Sequence, residues 1–304
     1  MVTLTHQIAG ISIRTESDVL INYVQGDLFK GFRVSNNEYN ARLKIQQFDR
    51  KSFILPPLST HERLPLVRSV AFPEHWLDNP IFRSPEVRKV VKDCLAQPDQ
   101  VHIVFNWNRA IFRNYAHNVF HIFYPPEKKD DFSNPIFNAG YRNFIAALLP
   151  NFSAVLIHGA GIIHKNRAVV FLAPDDGGKT TIVNHSSPGT ILSDDQIILR
   201  REDDRITVHS TPFGEIGDGP QQARLGGLFL LEKAPHFELT PLKPREILRF
   251  IWNEQFYGWF VLPRNLRVKA FEILYDACCQ VPVHRMRFPK DYVDWNAIDA
   301  AMDS

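Results

Sequence analysis

The chain has 304 residues, 44% of them hydrophobic and 22% charged, with 23 Phe and 21 Pro. That is enough for one large or two modest folded domains, and it excludes a fibre, a peptide and a disordered tail. Lys and Arg number 35 against 33 Asp and Glu, a formal net charge of +2. This is too small to set up a general field for polyanions, so nucleic acid is not an expected partner. The cysteines are Cys94, Cys278 and Cys279, two of them adjacent, so no paired disulfide framework can be drawn and a reducing, cytoplasmic setting is expected. Met1 to Ile13 lacks the basic start and apolar run of a secretion signal. The longest apolar stretch, Phe144 to Ile163, is broken by Pro150, Asn151 and His158, so no membrane association is expected.

In chain order, Ile8 to Arg14, Val19 to Val24, Phe29 to Val34 and Leu43 to Phe48 read as short strands of a small sheet. A proline-punctuated stretch follows. Ser84 as cap and Pro85 at the first position then open a helix whose stripe, Val87, Val90, Val91, Cys94 and Leu95, places Cys94 in the core. Val101 to Phe105 and Val119 to Tyr124 read as buried strands. His117 and His121 share that second region, where four residues of strand separate them by about 13 Å, too far for one metal ion. The Pro125-Pro126 loop and its charged run suggest a boundary between a mixed α/β region, 1–125, suited to partner recognition, and a second domain, 126–304. Tyr141 to Leu149 reads as an amphipathic helix stopped by Pro150.

Ala154 to His158, Gly161 to His164 and Ala168 to Leu172 read as strands, and the last runs into Ala173-Pro174-Asp175-Asp176-Gly177-Gly178-Lys179-Thr180-Thr181. A buried strand, a loop ending Gly-Gly-Lys-Thr-Thr and a helix starting there form the arrangement in which successive main-chain amides wrap a polyphosphate. Gly177 and Gly178 let the backbone approach, Lys179 suits the β and γ phosphates, and Thr180 suits a magnesium ion. The first position of the usual G-x-x-x-x-G-K-[ST] pattern is Ala173, and two acids sit inside the loop. About fifteen residues after Lys179 the apolar run Thr190 to Leu192 ends in Ser193-Asp194-Asp195, the placement of a metal-holding carboxylate at a neighbouring strand end. The alternative is a solvated turn pair.

The segment from Leu156 to Arg200 resembles the catalytic core of HPr kinase/phosphorylase and the HPr-kinase-related proteins. The resemblance rests on His158-Gly159, the loop Ala173 to Thr181 and Ser193-Asp194-Asp195 in that order. Pro212-Phe213-Gly214 and the strand Ala223 to Glu232 are also similar. It implies an α/β fold with a mixed sheet, like that of phosphoenolpyruvate carboxykinase, and the use of ATP and Mg2+. It further implies that Asp194 is the proton acceptor for the substrate hydroxyl, that Asp195 holds magnesium with Thr180, and that His158 lies near the transferred phosphate. The implied activity is phosphotransfer from ATP to a serine-type hydroxyl of a peptide or protein, with a reverse phosphorylase direction in the same family. A nucleotide-binding regulatory module that no longer catalyses, and a small-molecule kinase of the same fold, are the rival readings. Homo-oligomer formation stays open.

Beyond the acid pair, Gln196 to Arg200 and Ile206 to Ser210 read as a hairpin around Glu202-Asp203-Asp204. Gly214, Gly217 and Gly219 mark a loop, with Glu215 and Arg224 as candidate phosphate or substrate contacts. Leu242 to Gln255 reads as a helix with Ile247, Leu248, Ile251 and Trp252 inward. Leu266 to Cys279 reads as another, with Val268, Phe271, Leu274, Tyr275 and Cys278 as its buried side. Val281 to Phe288 closes the series as a strand.

Overall fold

The computed structural model describes residues 2–17, 27–35, 38–47, 66–68, 101–106, 109–114, 119–124, 135–185, 189–214, 217, 219–257, 262 and 264–304. The expected strand Val19 to Val24 and the helix carrying Cys94 lie outside them. The chain divides into two compact units, Met1–Leu148 with Phe260–Arg264, and Leu149–Trp259 with Asn265–Ser304. The architecture is mixed α/β, with a small N-terminal sheet in the first unit and a larger curled mixed sheet in the second.

The first unit carries β1 (Val2–Ile8), β2 (Ile11–Ser17), a helical turn α1 (Asp27–Lys30), β3 (Ala41–Gln47), β4 (Leu66–Arg68), β5 (Val101–Asn106), β6 (Arg109–Asn114), β7 (Val119–Tyr124) and α2 (Pro135–Leu148). Its sheet order is β1-β2-β3-β7-β6-β5-β4. Two expectations are corrected. Ile8 to Arg14 is not one strand: Ala9 (φ 49°) and Gly10 (φ 72°) form the two-residue turn of a hairpin in which Ile8 pairs with Ile11, since left-handed backbone at both positions matches the strand twist. Phe29 to Val34 is not a strand either. Phe29 and Phe32 are both buried three residues apart, and the amide of Phe32 donates to the carbonyl of Phe29, a helical spacing that the sequence presents as an apolar run. Tyr141 packs edge-on against Phe29 at 5.4 Å and tilted against Phe144 at 5.6 Å.

The second unit opens with β8 (Ala154–His158), β9 (Ala160–His164), β10 (Arg167–Leu172) and α3 (Lys179–Asn184), followed by β11 (Thr190–Ser193), β12 (Gln196–Glu202), β13 (Arg205–His209) and β14 (Gln222–Lys233). It continues with β15 (Glu238–Pro241), α4 (Pro244–Phe250) running into a π-helical turn Ile251–Gln255, α5 (Arg264–Gln280), β16 (Val283–Phe288) and α6 (Trp295–Met302). The strand order is β11-β9-β10-β14-β13-β12-β8, with β16 against β14 and β15 against β16. β14 runs parallel to β10 and β16, and the other ladders of this sheet are antiparallel. β10 is continuously buried from Ala168 to Leu172, the pattern of a central strand covered on both faces. One core cluster joins β9, β10, α3, β14, β16 and α6 through Ile162, Phe171, Ile182, Phe229, Phe288, Ile298 and Met302.

The strands expected around the loop are present with small shifts at their ends, and the polar hairpin turn is Asp203-Asp204, at φ 47° and 62°. The stripe expected on α5 is half wrong. The helix buries Leu266, Ala270, Ile273, Leu274, Ala277 and Cys278, and it exposes Val268, Phe271 and Tyr275. Two apolar stripes compete on one helix, and the one containing alanines is the wider. Cys278 is core as expected, and burial pushes its thiol up to about 12.

Candidate functional site

The segment after β10 curls. The amide of Gly177 donates to the carbonyl of Pro174 at 3.0 Å, Asp176 takes φ 60° and Gly178 φ 100°. A Cβ at Gly177 would lie 2.4 Å from the Cβ of Ala173 and 2.9 Å from the Pro174 oxygen, so no side chain fits inside the turn. A Cβ at Gly178 would meet the Phe288 ring at 2.7 Å. Gly178 caps α3, whose first full hydrogen bond runs from the Ile182 amide to its carbonyl at 3.0 Å. The strand, the turn and the helix start follow one another as the sequence implied.

Lys179 is buried, and its Nζ donates to the carbonyls of Ala173 at 2.8 Å and Pro174 at 3.1 Å. An ammonium has three hydrogens, so one is left for an anion or a carboxylate. Burial lowers its pKa, while the carboxylates of Asp175, Asp195 and Asp176 act in the opposite direction without cancelling the effect. The lysine therefore sits beneath the loop, electrically coupled to the acids at its mouth.

His158, at the end of β8, brings Nε2 to 2.9 Å from Asp195 Oδ1 and Nδ1 to 3.7 Å from Asp175 Oδ1. A bulge in β11, where Ile191 pairs with Ile162 but Ser193 with Gly161, precedes the point where Asp194 and Asp195 leave the sheet. The Ser193 hydroxyl then accepts the amides of Asp195 (3.3 Å) and Gln196 (3.2 Å), and the Gly159 amide donates to the Asp195 carbonyl at 2.9 Å. Asp194 is buried and Asp195 half-buried, whereas Pro174, Asp175, Asp176 and Thr180 are exposed and Thr181 is half-buried. The structure thus gathers His158, Asp175, Lys179 and Asp195.

Three neighbours had no sequence signal of their own. Gln196, wholly buried and cross-strand from His158, donates Nε2 to Asp195 Oδ2 at 2.9 Å, so each oxygen of that carboxylate has a fixed neighbour. Tyr257 lies with its ring centroid 6.2 Å from that of His158. It is carried there by the π-helical turn and the bridge between Phe256 and Ile157, and such turns recur at functional sites. Phe288 supports Gly178 from below. Of the outlying candidates, Arg224 is exposed on β14, and Glu215 lies outside the described residues.

Among the described residues no group of three His, Cys, Asp or Glu forms a metal cage, and no helix is long and apolar enough to cross a membrane. No family model matches the chain and no curated protein matches it. Among solved structures, the HPr(Ser) kinase/phosphatase from Coxiella burnetii is similar over 49% of this chain and 91% of that one. The identity is 11% and the TM-score 0.24, a distant likeness that carries no functional inference.

Proposed function

We propose that the second unit is an ATP-dependent kinase of the HPr-kinase-like, phosphoenolpyruvate-carboxykinase-like type, acting on a serine-type hydroxyl of a peptide or protein. The observation that carries this reading is the curled loop Ala173 to Thr181 with its buried Lys179 bonded to two main-chain carbonyls and acting electrostatically with Asp175, Asp176 and Asp195. A buried ammonium of lowered pKa gains most from an added anion, which is what a β or γ phosphate supplies.

In this reading the loop amides and the remaining Lys179 hydrogen bind the phosphates. Asp194 accepts the proton of the acceptor hydroxyl as its oxygen bonds to the γ phosphorus and the bond to the β-phosphate oxygen breaks, releasing ADP. Thr180 and Asp195 would hold Mg2+, and their hard oxygen donors suit that ion. Bound there, the ion would neutralise charge on the phosphates. His158 and Gln196 keep the Asp195 carboxylate in one orientation, and the Tyr257 ring lies beside His158.

A second reading, a nucleotide-binding module without catalysis, is favoured by one feature. Asp175 stands 92% exposed at the loop mouth, where its charge opposes an incoming phosphate. One experiment separates the two. Calorimetry with ATP and Mg2+ is paired with γ-labelled ATP incubated with the protein and hydroxyl-bearing peptides. Label transfer that Lys179→Ala lowers by at least about 100-fold supports the kinase. Tight binding with no loss of γ phosphate supports the module, and full transfer by Lys179→Ala overturns the assignment.

A further inference from the structure

The two flanks of the loop are built from different strands. β9 and β11 stand on one side of β10, and β14 and β16 on the other. β14 and β16 run parallel to β10, and β11, antiparallel to a strand that is itself antiparallel to β10, runs the same way. All four therefore finish at the sheet edge from which the loop springs, the edge where ligands of such sheets bind. β11 delivers the acid pair there. A triphosphate chain is extended, so a γ phosphate beside Asp194 and Asp195 sends the nucleoside to the opposite flank, at the ends of β14 and β16.

That flank carries a cation and an aromatic ledge on the loop's own face of the sheet. Phe171 and Ala173 of β10, Phe229 and Leu231 of β14, and Met286 and Phe288 of β16 share the face that α3 and α6 cover. Register sets Lys233 across from Phe288, which puts it on the same face two residues beyond Leu231. Phe288 is the residue whose ring lies against Gly178. Glu232 points to the other face, where Arg285 holds it at 3.8 Å and Arg287 at 3.1 Å. Among the described residues no carboxylate pairs with Lys233. Phe237 packs on the same core cluster, and Tyr292 meets its ring edge-on at 6.2 Å and 83°. Both connecting turns are tied down: the Ala234 amide donates to the Phe288 carbonyl at 3.0 Å, and the Asp294 carboxylate accepts the Ala297 amide at 3.0 Å. An aromatic ring fixed in this way loses little entropy when a second ring stacks on it.

We propose that this flank holds the nucleoside half of the nucleotide, with Lys233 on the α phosphate and the Tyr292 ring, backed by Phe237, stacked on the base. It rests on the nucleotide-binding reading of the loop and adds the direction in which ATP lies across it. The lysine acts as a point charge on a phosphate oxygen. The tyrosine offers a flat surface to a flat base.

The test is calorimetry of the full chain with two probes, ATP and inorganic tripolyphosphate, each with Mg2+, and circular dichroism to show that every variant is folded. Wild type is expected to bind both. Tyr292→Ala should weaken ATP at least about fivefold and leave tripolyphosphate within about twofold, while Tyr292→Phe should keep ATP within about twofold of wild type. Lys233→Ala should weaken both probes about tenfold, and Lys233→Arg should restore them to within about threefold of wild type. If wild type binds ATP and either alanine variant binds it equally well, or if Tyr292→Ala weakens tripolyphosphate as much as ATP, the proposal is overturned and the kinase reading stands. A wild-type chain that binds neither probe overturns the reading of the loop itself, and the placement of the nucleoside with it.

Discussion

The two ends of β10 carry the same three residue types and use them differently. Before the strand, His164 Nε2 lies 3.0 Å from Asp299 Oδ1, Lys165 Nζ binds the other oxygen of that carboxylate, and Arg167 binds Asp303 at 2.7 Å and the Met302 carbonyl at 3.2 Å. After it, His158 Nε2 lies 2.9 Å from Asp195, but the nearby lysine turns inward to two main-chain carbonyls. At the first end the positive groups close on the acids and pin α6 to the sheet. At the second, left-handed backbone and two glycines hold a buried cation beneath carboxylates that are partly open to solvent. A His, Lys and Asp set is thus structural when its charges close on one another, and suited to binding when the fold holds the cation away from them.

The widest separation between the two ends should come from their lysines. Lys179→Ala is expected to weaken ATP binding by at least about 100-fold, whereas Lys165→Ala, with its side chain exposed, should leave binding within about twofold of wild type. Calorimetry on both variants decides it, and equal losses would erase the distinction. The carboxylates sharpen it next. Asp195→Asn should lower phosphotransfer by more than about tenfold while the melting midpoint moves little. Asp299→Asn should leave phosphotransfer intact and lower the midpoint by about 2–4 °C, because the anchor of α6 is weakened.

A smaller effect is expected at the loop's support. Gly178→Ala introduces a side chain at φ 100° and 2.7 Å from the Phe288 ring, which should cost about 1–3 kcal/mol. Adding Phe288→Leu removes the ring but not the backbone strain, so urea titration of the double variant should show part of the loss recovered. A double variant as unstable as the sum of the two singles would mean that ring and glycine do not interact.

What the sequence makes legible is local. β8 to β10 are apolar runs closed by turn residues, and the loop and Ser193-Asp194-Asp195 are contiguous motifs, so their order and their shared location could be read directly. The pieces that complete the site arrive from a distance. Gln196 gains its role from the cross-strand register with His158, Tyr257 from a π-helical turn about 100 residues away from it, and Phe288 from a parallel pairing of β16 with β14. Ala9-Gly10 hides a hairpin inside what scans as one strand. On α5, periodicity supports both stripes and cannot say which one is buried, because alanines count little on a hydrophobic scale yet allow close packing.

The clasp that His164, Lys165 and Arg167 form on Asp299 and Asp303 should outlast the histidines inside the sheet on acidification. Burial lowers the pKa of His284, which stacks on Phe229 at 5.8 Å and 18°. It also lowers that of His209, where the nearby Glu202 opposes the shift and Arg200 adds to it. Between the lowered folded value and the ordinary 6.5 the unfolded chain binds more protons, so stability from these groups is complete above about 6.5 and declines as the pH falls through the folded value. Asp299 titrates lower. Burial pushes its carboxyl up, but the Lys165 and His164 contacts outweigh this and hold it below the usual 3.8, so its contribution survives until the pH drops past that value. The melting midpoint should therefore start to fall on acidification from pH 7 while the clasp is still intact. His284→Leu, which keeps the site apolar and removes the titrating ring, should flatten that first decline and leave the steeper loss at lower pH in place. An unchanged first decline in the variant would remove His284 as its source.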